Sequence, residues 1–294
     1  MHTIDLTGRV AIVTGAGGGL GRAHALLLSR RGARVVVNDL GAGAESVVRE
    51  IRDAGGEARA ALGSVTDPAR MQGIADETLE AWGRIDILVN NAGILRDKTF
   101  AKMSLEDFRL VLEVHLMGSV NCTKAVWETM RNQKYGRIVM TSSSSGLYGN
   151  FGQSNYGAAK LAVVGLMQTL ALEGAKYGIH VNCIAPTAAT QMLEGLLPSD
   201  QSAMLRPELV SPGVLALVSE HAPTRAILCA GAGGFELAHI TLTEGIYIEG
   251  DPPSAETLLA RWAEVADRCR ETVPSQGGTQ GENELRKAGA PRMS

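Results

Sequence analysis

Apolar residues along the chain gather in short β-branched runs with no polar partner side. RVAIVT (9–14) and AILCA (226–230) have the character of strands buried on both faces. Further strands are predicted at ARVVVNDLG (33–41), EARAAL (57–62), RIDILVNNAG (84–93), GRIVMTS (136–142) and IHVNCIAP (179–186). Helical periodicity fills the gaps, over 20–31, 45–55, 67–83, 104–133 and 154–177. Asp67 and Pro68 supply an N-cap and first position, and Ser104 with Asp107 a capping-box pair. Strands alternating with helices imply right-handed crossovers in a doubly wound parallel α/β sheet of the Rossmann type, spanning 1–250 as a single domain.

Periodicity loosens from 187 to 224, where Pro198, Pro207 and Pro212 interrupt helical pieces, as in a segment that lids a site. TLTEGIYI (241–248) alternates like an exposed strand. Residues 251–294 form a C-terminal extension: a short amphipathic helix with Leu258, Leu259, Trp262 and Val265, then a polar, Gly-rich stretch from Thr272 predicted to be disordered.

Composition narrows the class. A net charge of −3 argues against nucleic acid as the main partner. Cys122, Cys183, Cys229 and Cys269 are spread without a CxxC pair, so neither a disulfide framework nor a metal site is expected. The start lacks an apolar h-region, and no apolar run reaches the ~18 residues of a membrane span. These features lead to the expectation of a soluble cytoplasmic protein.

Candidate chemistry sits at strand ends. TGAGGGLG (Thr14–Gly21) follows the first strand and opens a helix, so its glycines allow a sharp turn that brings backbone N–H groups against a pyrophosphate. Asp39 ends the second strand, where a carboxylate accepts both adenosine ribose hydroxyls and repels a 2′-phosphate; this favours NAD over NADP. The alternative is that Asp39 caps a turn. Asn90–Gly93 end the fourth strand with small residues that leave room for a flat ring. Thr14, Asp39, Ser64, Asn91, Ser143 and Pro186 all lie at carboxyl ends, where such sheets bind ligands.

Ser143, Tyr156 and Lys160 lie at offsets of 0, 13 and 17. Tyr156 and Lys160, four apart, share one helix face. A phenol titrates near ~10, and a neighbouring ammonium favours its phenolate and makes it a usable acid/base. Seen alone, the pair also fits an interfacial tyrosine beside a solvated lysine. His115, within a helix, has a packed core role as its default.

Together these motifs resemble the short-chain dehydrogenase/reductase family over residues 6–250. TGxxxGxG falls on Thr14, Gly15, Gly19 and Gly21, NNAG on Asn90–Gly93, YxxxK on Tyr156 and Lys160, and the family serine on Ser143. NDLG, NNAGILRDKTF, VHLMGS, KYGRIVMTSSSSGLYGNFGQSNYGAAK and GAGGFEL further resemble the (3R)-hydroxyacyl-CoA dehydrogenases of the type 2 peroxisomal multifunctional enzymes.

The resemblance implies an NAD-dependent oxidoreductase with Tyr156 as acid/base, Ser143 as donor to the substrate oxygen, and Lys160 on the nicotinamide ribose. His115 stands where most of the family has asparagine, although the multifunctional enzymes also carry histidine there. Implied cofactor contacts are Gly15, Gly19, Leu20, Gly21, Asp39, Ser64, Val65, Asn91, Gly93, Tyr156 and Lys160, with Ala188 and Thr190 from PTAATQM in place of PGxxxT. The implied substrate is a (3R)-hydroxyacyl-CoA of fatty-acyl or steroid side-chain β-oxidation. Alternatives are a hydroxysteroid or an acyl-carrier-protein thioester, the latter disfavoured by Asp39, and a non-catalytic NAD-binding scaffold. Arg96, Lys98, Lys102 and Arg109 form a basic cluster suited to CoA or to a solvated face. A homodimer or homotetramer through the tyrosine helix (Ala158, Ala159, Ala162, Gly165) is also implied.

Overall fold

The computed structural model describes residues 3–189 and 203–289. These divide into two compact units, Met1–Leu237 and Ala238–Ser294, where the sequence places a boundary at 250. In the first, strands β1 (Val10–Thr14), β2 (Arg34–Asp39), β3 (Ala58–Leu62), β4 (Ile87–Asn90), β5 (Gly136–Thr141), β6 (Ile179–Thr187) and β7 (Ile227–Gly231) pair in parallel register. With a further strand, β8 (Gly234–Ala238), the sheet order is β3-β2-β1-β4-β5-β6-β7-β8. Strand order reverses between β1 and β4, the point at which a doubly wound sheet opens a crevice.

Helices α1 (Gly19–Arg30), α2 (Gly43–Asp53), α3 (Pro68–Trp82), α4 (Leu105–Leu112), α5 (Gly118–Gln133), α6 (Ser144–Tyr148) and α7 (Ser154–Gly174) connect the strands. The central strands bury every residue because helices cover both faces: β1 and β5 are fully buried along their length. Asp67 caps α3 by accepting the N–H of Arg70, with Pro68 next, as the sequence indicates.

Several elements differ from expectation. Strand β8 (Gly234–Ala238) lies outside the expected strands: it is five residues long, and all but its last residue, Phe235 and Leu237 included, are exposed. It follows β7 through Ala232 and Gly233, both at positive φ (49° and 82°), as a two-residue hairpin turn requires. The expected helix 104–133 is interrupted by a π-helical turn, Glu113–Met117, which inserts His115 towards the interior. Ser104 does cap α4 through the N–H of Asp107, but the Asp107 carboxylate turns to Lys98, so the reciprocal box is replaced by an ion pair.

By length and composition the described helix Ser154–Tyr177, of 24 residues, could cross a membrane, although Lys160, Glu173 and Lys176 interrupt it and no uncharged run in it reaches 18 residues. Its apolar character has two sources. Ala159, Val163, Val164 and Met167 face the core, while Leu161 and Leu172 are exposed. Ala159 therefore faces inward, whereas Gly165 opens onto free space.

In the second unit, 241–248 forms no strand beyond a bridge from Leu242 to Thr272. The stretch from Thr272 is not without order, since Gly278–Lys287 is a helix; Arg286 and Lys287 in its last turn suit the negative helix end. With helix Ala255–Ala260 and residues 242–248 it lines an open groove of about 640 Å³.

Candidate active site

The crevice is built first by Thr14 and Asn91, at the ends of β1 and β4. The Thr14 hydroxyl accepts N–H bonds from Asn91 (3.0 Å) and Ala92 (3.1 Å), and the Asn91 amide donates to the carbonyls of Thr14 and Gly15 (both 3.0 Å). Asn91 thus shapes the glycine turn. Gly15 and Gly19 take positive φ (59° and 51°), and a Cβ at Gly21 would lie 2.2 Å from the Gly15 carbonyl oxygen. With no acidic residue in its first turn, α1 opens on Gly19 with its N–H groups and positive helix end unopposed. The cradle that bare glycine backbone leaves, followed by Leu20, fits the pyrophosphate of a dinucleotide.

Asp39 closes β2 with one carboxylate oxygen accepting the Gly17 N–H (2.8 Å) and the other that of Leu40 (2.7 Å). It caps the loop, as the turn-cap alternative expects, and a carboxylate retains lone pairs for further donors. Ser64 exchanges a hydrogen bond with the Thr66 hydroxyl (2.7 Å), so it is engaged within its own turn. Val65 is buried against Gly118, and its carbonyl accepts the Asn121 amide (2.9 Å). Ala188 is buried at the end of β6. Thr190, with Gln191 and Pro198, lies outside the described residues.

Beyond β5, Ser143 N-caps α6, its hydroxyl accepting the Ser145 N–H (3.2 Å). Burial raises the Tyr156 phenol above its ordinary pKa, the neighbouring Ser143 hydroxyl lowers it, and the Asp97 carboxylate raises it. Lys160 is buried one turn along, its Nζ 5.4 Å from the phenol ring centroid and donating to the Thr141 carbonyl (2.6 Å). Burial lowers the ammonium to about 7.

The expected depression of Tyr156 by Lys160 is therefore not realised in this geometry. A buried ammonium is itself disfavoured, and this one is aimed at a backbone carbonyl.

His115 joins the group from the π turn. Its Nε2 lies 2.8 Å from the Ile94 carbonyl oxygen and 3.1 Å from the Ile94 nitrogen, and its ring presses on Gly93, where a Cβ would fall 2.3 Å from Cε1. Burial, aided by the Lys160 charge, lowers its pKa to about 3 and keeps it neutral. Nδ1 is buried without a partner among the described residues.

The basic cluster is partly neutralised. Lys98 pairs with Asp107 at 2.9 Å and Arg96 approaches the same carboxylate at 3.8 Å, while Lys102 and Arg109 are exposed. Among the described residues no group of His, Cys, Asp or Glu is placed to hold a metal. The sequence reading missed Gln153 and Asn155, whose amides fasten the tyrosine turn to the loop between β4 and α4: Asn155 donates to the Arg96 carbonyl (3.0 Å) and Gln153 to the Asp97 carboxylate (2.6 Å). Their signal is the concentration of amide side chains in GNFGQSN, just before Tyr156.

Residues 9–200 match the family model described as short chain dehydrogenase. A putative short-chain type dehydrogenase/reductase of Mycobacterium tuberculosis is 48% identical over 270 residues, covering 88% of this chain and 94% of the relative. The peroxisomal multifunctional enzyme type 2 of Drosophila melanogaster is 47% identical over 277 residues, or 90% of this chain; the chain spans about half of that relative, 46% of its length. Among solved structures, a 7α-hydroxysteroid dehydrogenase complexed with NADH and 7-oxo glycochenodeoxycholic acid superposes with a TM-score of 0.74 at 31% identity, covering 80% of this chain and 98% of that one.

Proposed function

This chain belongs to the short-chain dehydrogenase family, an oxidoreductase family using a nicotinamide cofactor, and on that premise we propose that it is an NAD-dependent (3R)-hydroxyacyl-CoA dehydrogenase. One observation carries the catalytic part: the Tyr156 phenol, flanked by Lys160 Nζ at 5.4 Å from its ring centroid and by the His115 ring at 5.2 Å, shares its surroundings with the Ser143 hydroxyl past the end of β5. The substrate class is supported by the 47% identity to a multifunctional enzyme of the peroxisome.

In this reading Ser143 donates to the substrate oxygen and Tyr156 takes the hydroxyl proton as the carbinol C–H bond breaks. A nicotinamide dinucleotide would supply the hydride acceptor; Gly15, Gly19 and Gly21 would hold its pyrophosphate, and Asp39 would receive its adenosine ribose. Neutral His115 holds the far side of the phenol in place.

Removing the acid/base costs roughly 10² to 10⁴ in rate. Tyr156→Phe is therefore expected to lose turnover of 3-hydroxyacyl-CoA while still binding NADH. Near-normal turnover by this variant overturns the assignment.

A hydroxysteroid is the second reading, favoured by the likeness to the 7α-hydroxysteroid dehydrogenase. Initial rates on a 3-hydroxyacyl-CoA series and on free hydroxysteroids separate the two. The outward face of α7, with Ala158, Leu161, Gly165 and Leu172, together with exposed Leu105 and Leu110 of α4, supports self-association. Light scattering that returns a monomer mass refutes it.

A further inference from the structure

We infer that Gln153 is a positioning residue, whose side-chain amide couples the Ser143 turn to the Asp97 segment and sets where the Ser143 hydroxyl stands against Tyr156. Gln153 occupies the N-cap of α7, where a side-chain oxygen ordinarily accepts a first-turn N–H, yet it makes no such bond. Its oxygen instead accepts from the Ser145 hydroxyl (2.8 Å) and the Asn150 amide (3.0 Å), and its nitrogen donates to Asp97 Oδ2 (2.6 Å).

Ser145 is the link to the reacting group. While its hydroxyl goes to Gln153, its N–H donates to Ser143 Oγ (3.2 Å). A run of hydrogen bonds thus joins Ser143 to Asp97 by way of Ser145 and Gln153. Two flanking bonds hold the same segments together, Lys98 N–H to the Gly152 carbonyl (2.9 Å) and the Asn155 amide to the Arg96 carbonyl (3.0 Å). Those fix the Tyr156 turn; Gln153 alone of these rungs also reaches the Ser143 side.

The sequence of bonds matters because Ser143 and Tyr156 come from different elements, α6 and α7, and must meet one substrate oxygen. A misplacement of about 1 Å costs on the order of 10²-fold in rate. The inference rests on the reading that Ser143 and Tyr156 carry the reaction, and its test separates the two.

Gln153→Met keeps the side-chain length and removes the bonds. It is expected to lower kcat roughly 10- to 100-fold while leaving the NADH dissociation constant and the melting temperature nearly unchanged. Since Gln153 acts through Ser143, adding Gln153→Met to Ser143→Ala should cost less than about twofold more. Asp97→Asn, which keeps an acceptor for the Gln153 amide, should retain most of the activity, and Asp97→Ala should lose part of it. Unchanged kcat in Gln153→Met, or its full effect repeated on Ser143→Ala, overturns the inference. Full turnover by Ser143→Ala alone overturns the assignment of Ser143 beneath it, and is distinguished because Gln153 is intact. Should Gln153→Met fail to fold, Asp97→Ala at the exposed end supplies the same cycle with Ser143→Ala.

Discussion

The imidazole of His115 stands edge-on to the phenol ring of Tyr156, with centroids 5.2 Å apart and planes at 85°. The contact depends on Gly93, since the imidazole lies against its backbone. Gly93→Ala forces the ring to move and, through it, the phenol. Overpacking of this kind costs about 1–3 kcal/mol. Lower thermal stability and a drop in kcat are expected together in a melting and steady-state comparison, with His115→Asn, smaller and still polar, keeping more activity than His115→Phe.

Oxidation needs Tyr156 deprotonated, so the rising alkaline limb of kcat/KM reports its titration. The neighbouring Ser143 hydroxyl lowers the Tyr156 pKa against the raising effect of burial. Ser143→Ala removes the lowering contribution, so the limb should move to higher pH. Asp97→Asn removes a raising contribution, and the limb should move to lower pH. Profiles from pH 6 to 10 for the three proteins check both signs.

Asp39 determines cofactor choice in our reading. Asp39→Asn should reduce kcat/KM for NAD and raise that for NADP, narrowing the preference by roughly tenfold, the scale of one charge contact near 1.4 kcal/mol. Because Asp39 also accepts the Gly17 N–H, a small loss of thermal stability should accompany the change.

Two glycines in one loop should behave oppositely. Gly18 is extended, and a Cβ there meets nothing within 4 Å, so Gly18→Ala should fold normally. At Gly21 the new methyl would overlap the Gly15 carbonyl and the Asn91 amide, 2.2 and 2.6 Å away. Gly21→Ala should melt lower and bind NADH more weakly, measured by fluorescence titration.

The sequence alone determined the parallel sheet, the glycine turn, the strand-end acid and the Ser143, Tyr156 and Lys160 spacing. Each is a local pattern: burial on both faces enforces β-branched runs, and a bare-backbone turn enforces glycine. Tertiary structure decided what depends on distant packing. His115 enters the site because a π turn interrupts what reads as one continuous helix, and Lys160 points at the Thr141 carbonyl because both are buried together. Strand β8 is only five residues long, with Phe235 and Leu237 as its large apolar side chains, both exposed, and the alternation at 241–248 misleads because no long ladder is there to pair with. Gln153 reaches Asp97 across 56 positions of sequence, a bond that only the close approach of the segments following β4 and β5 makes possible.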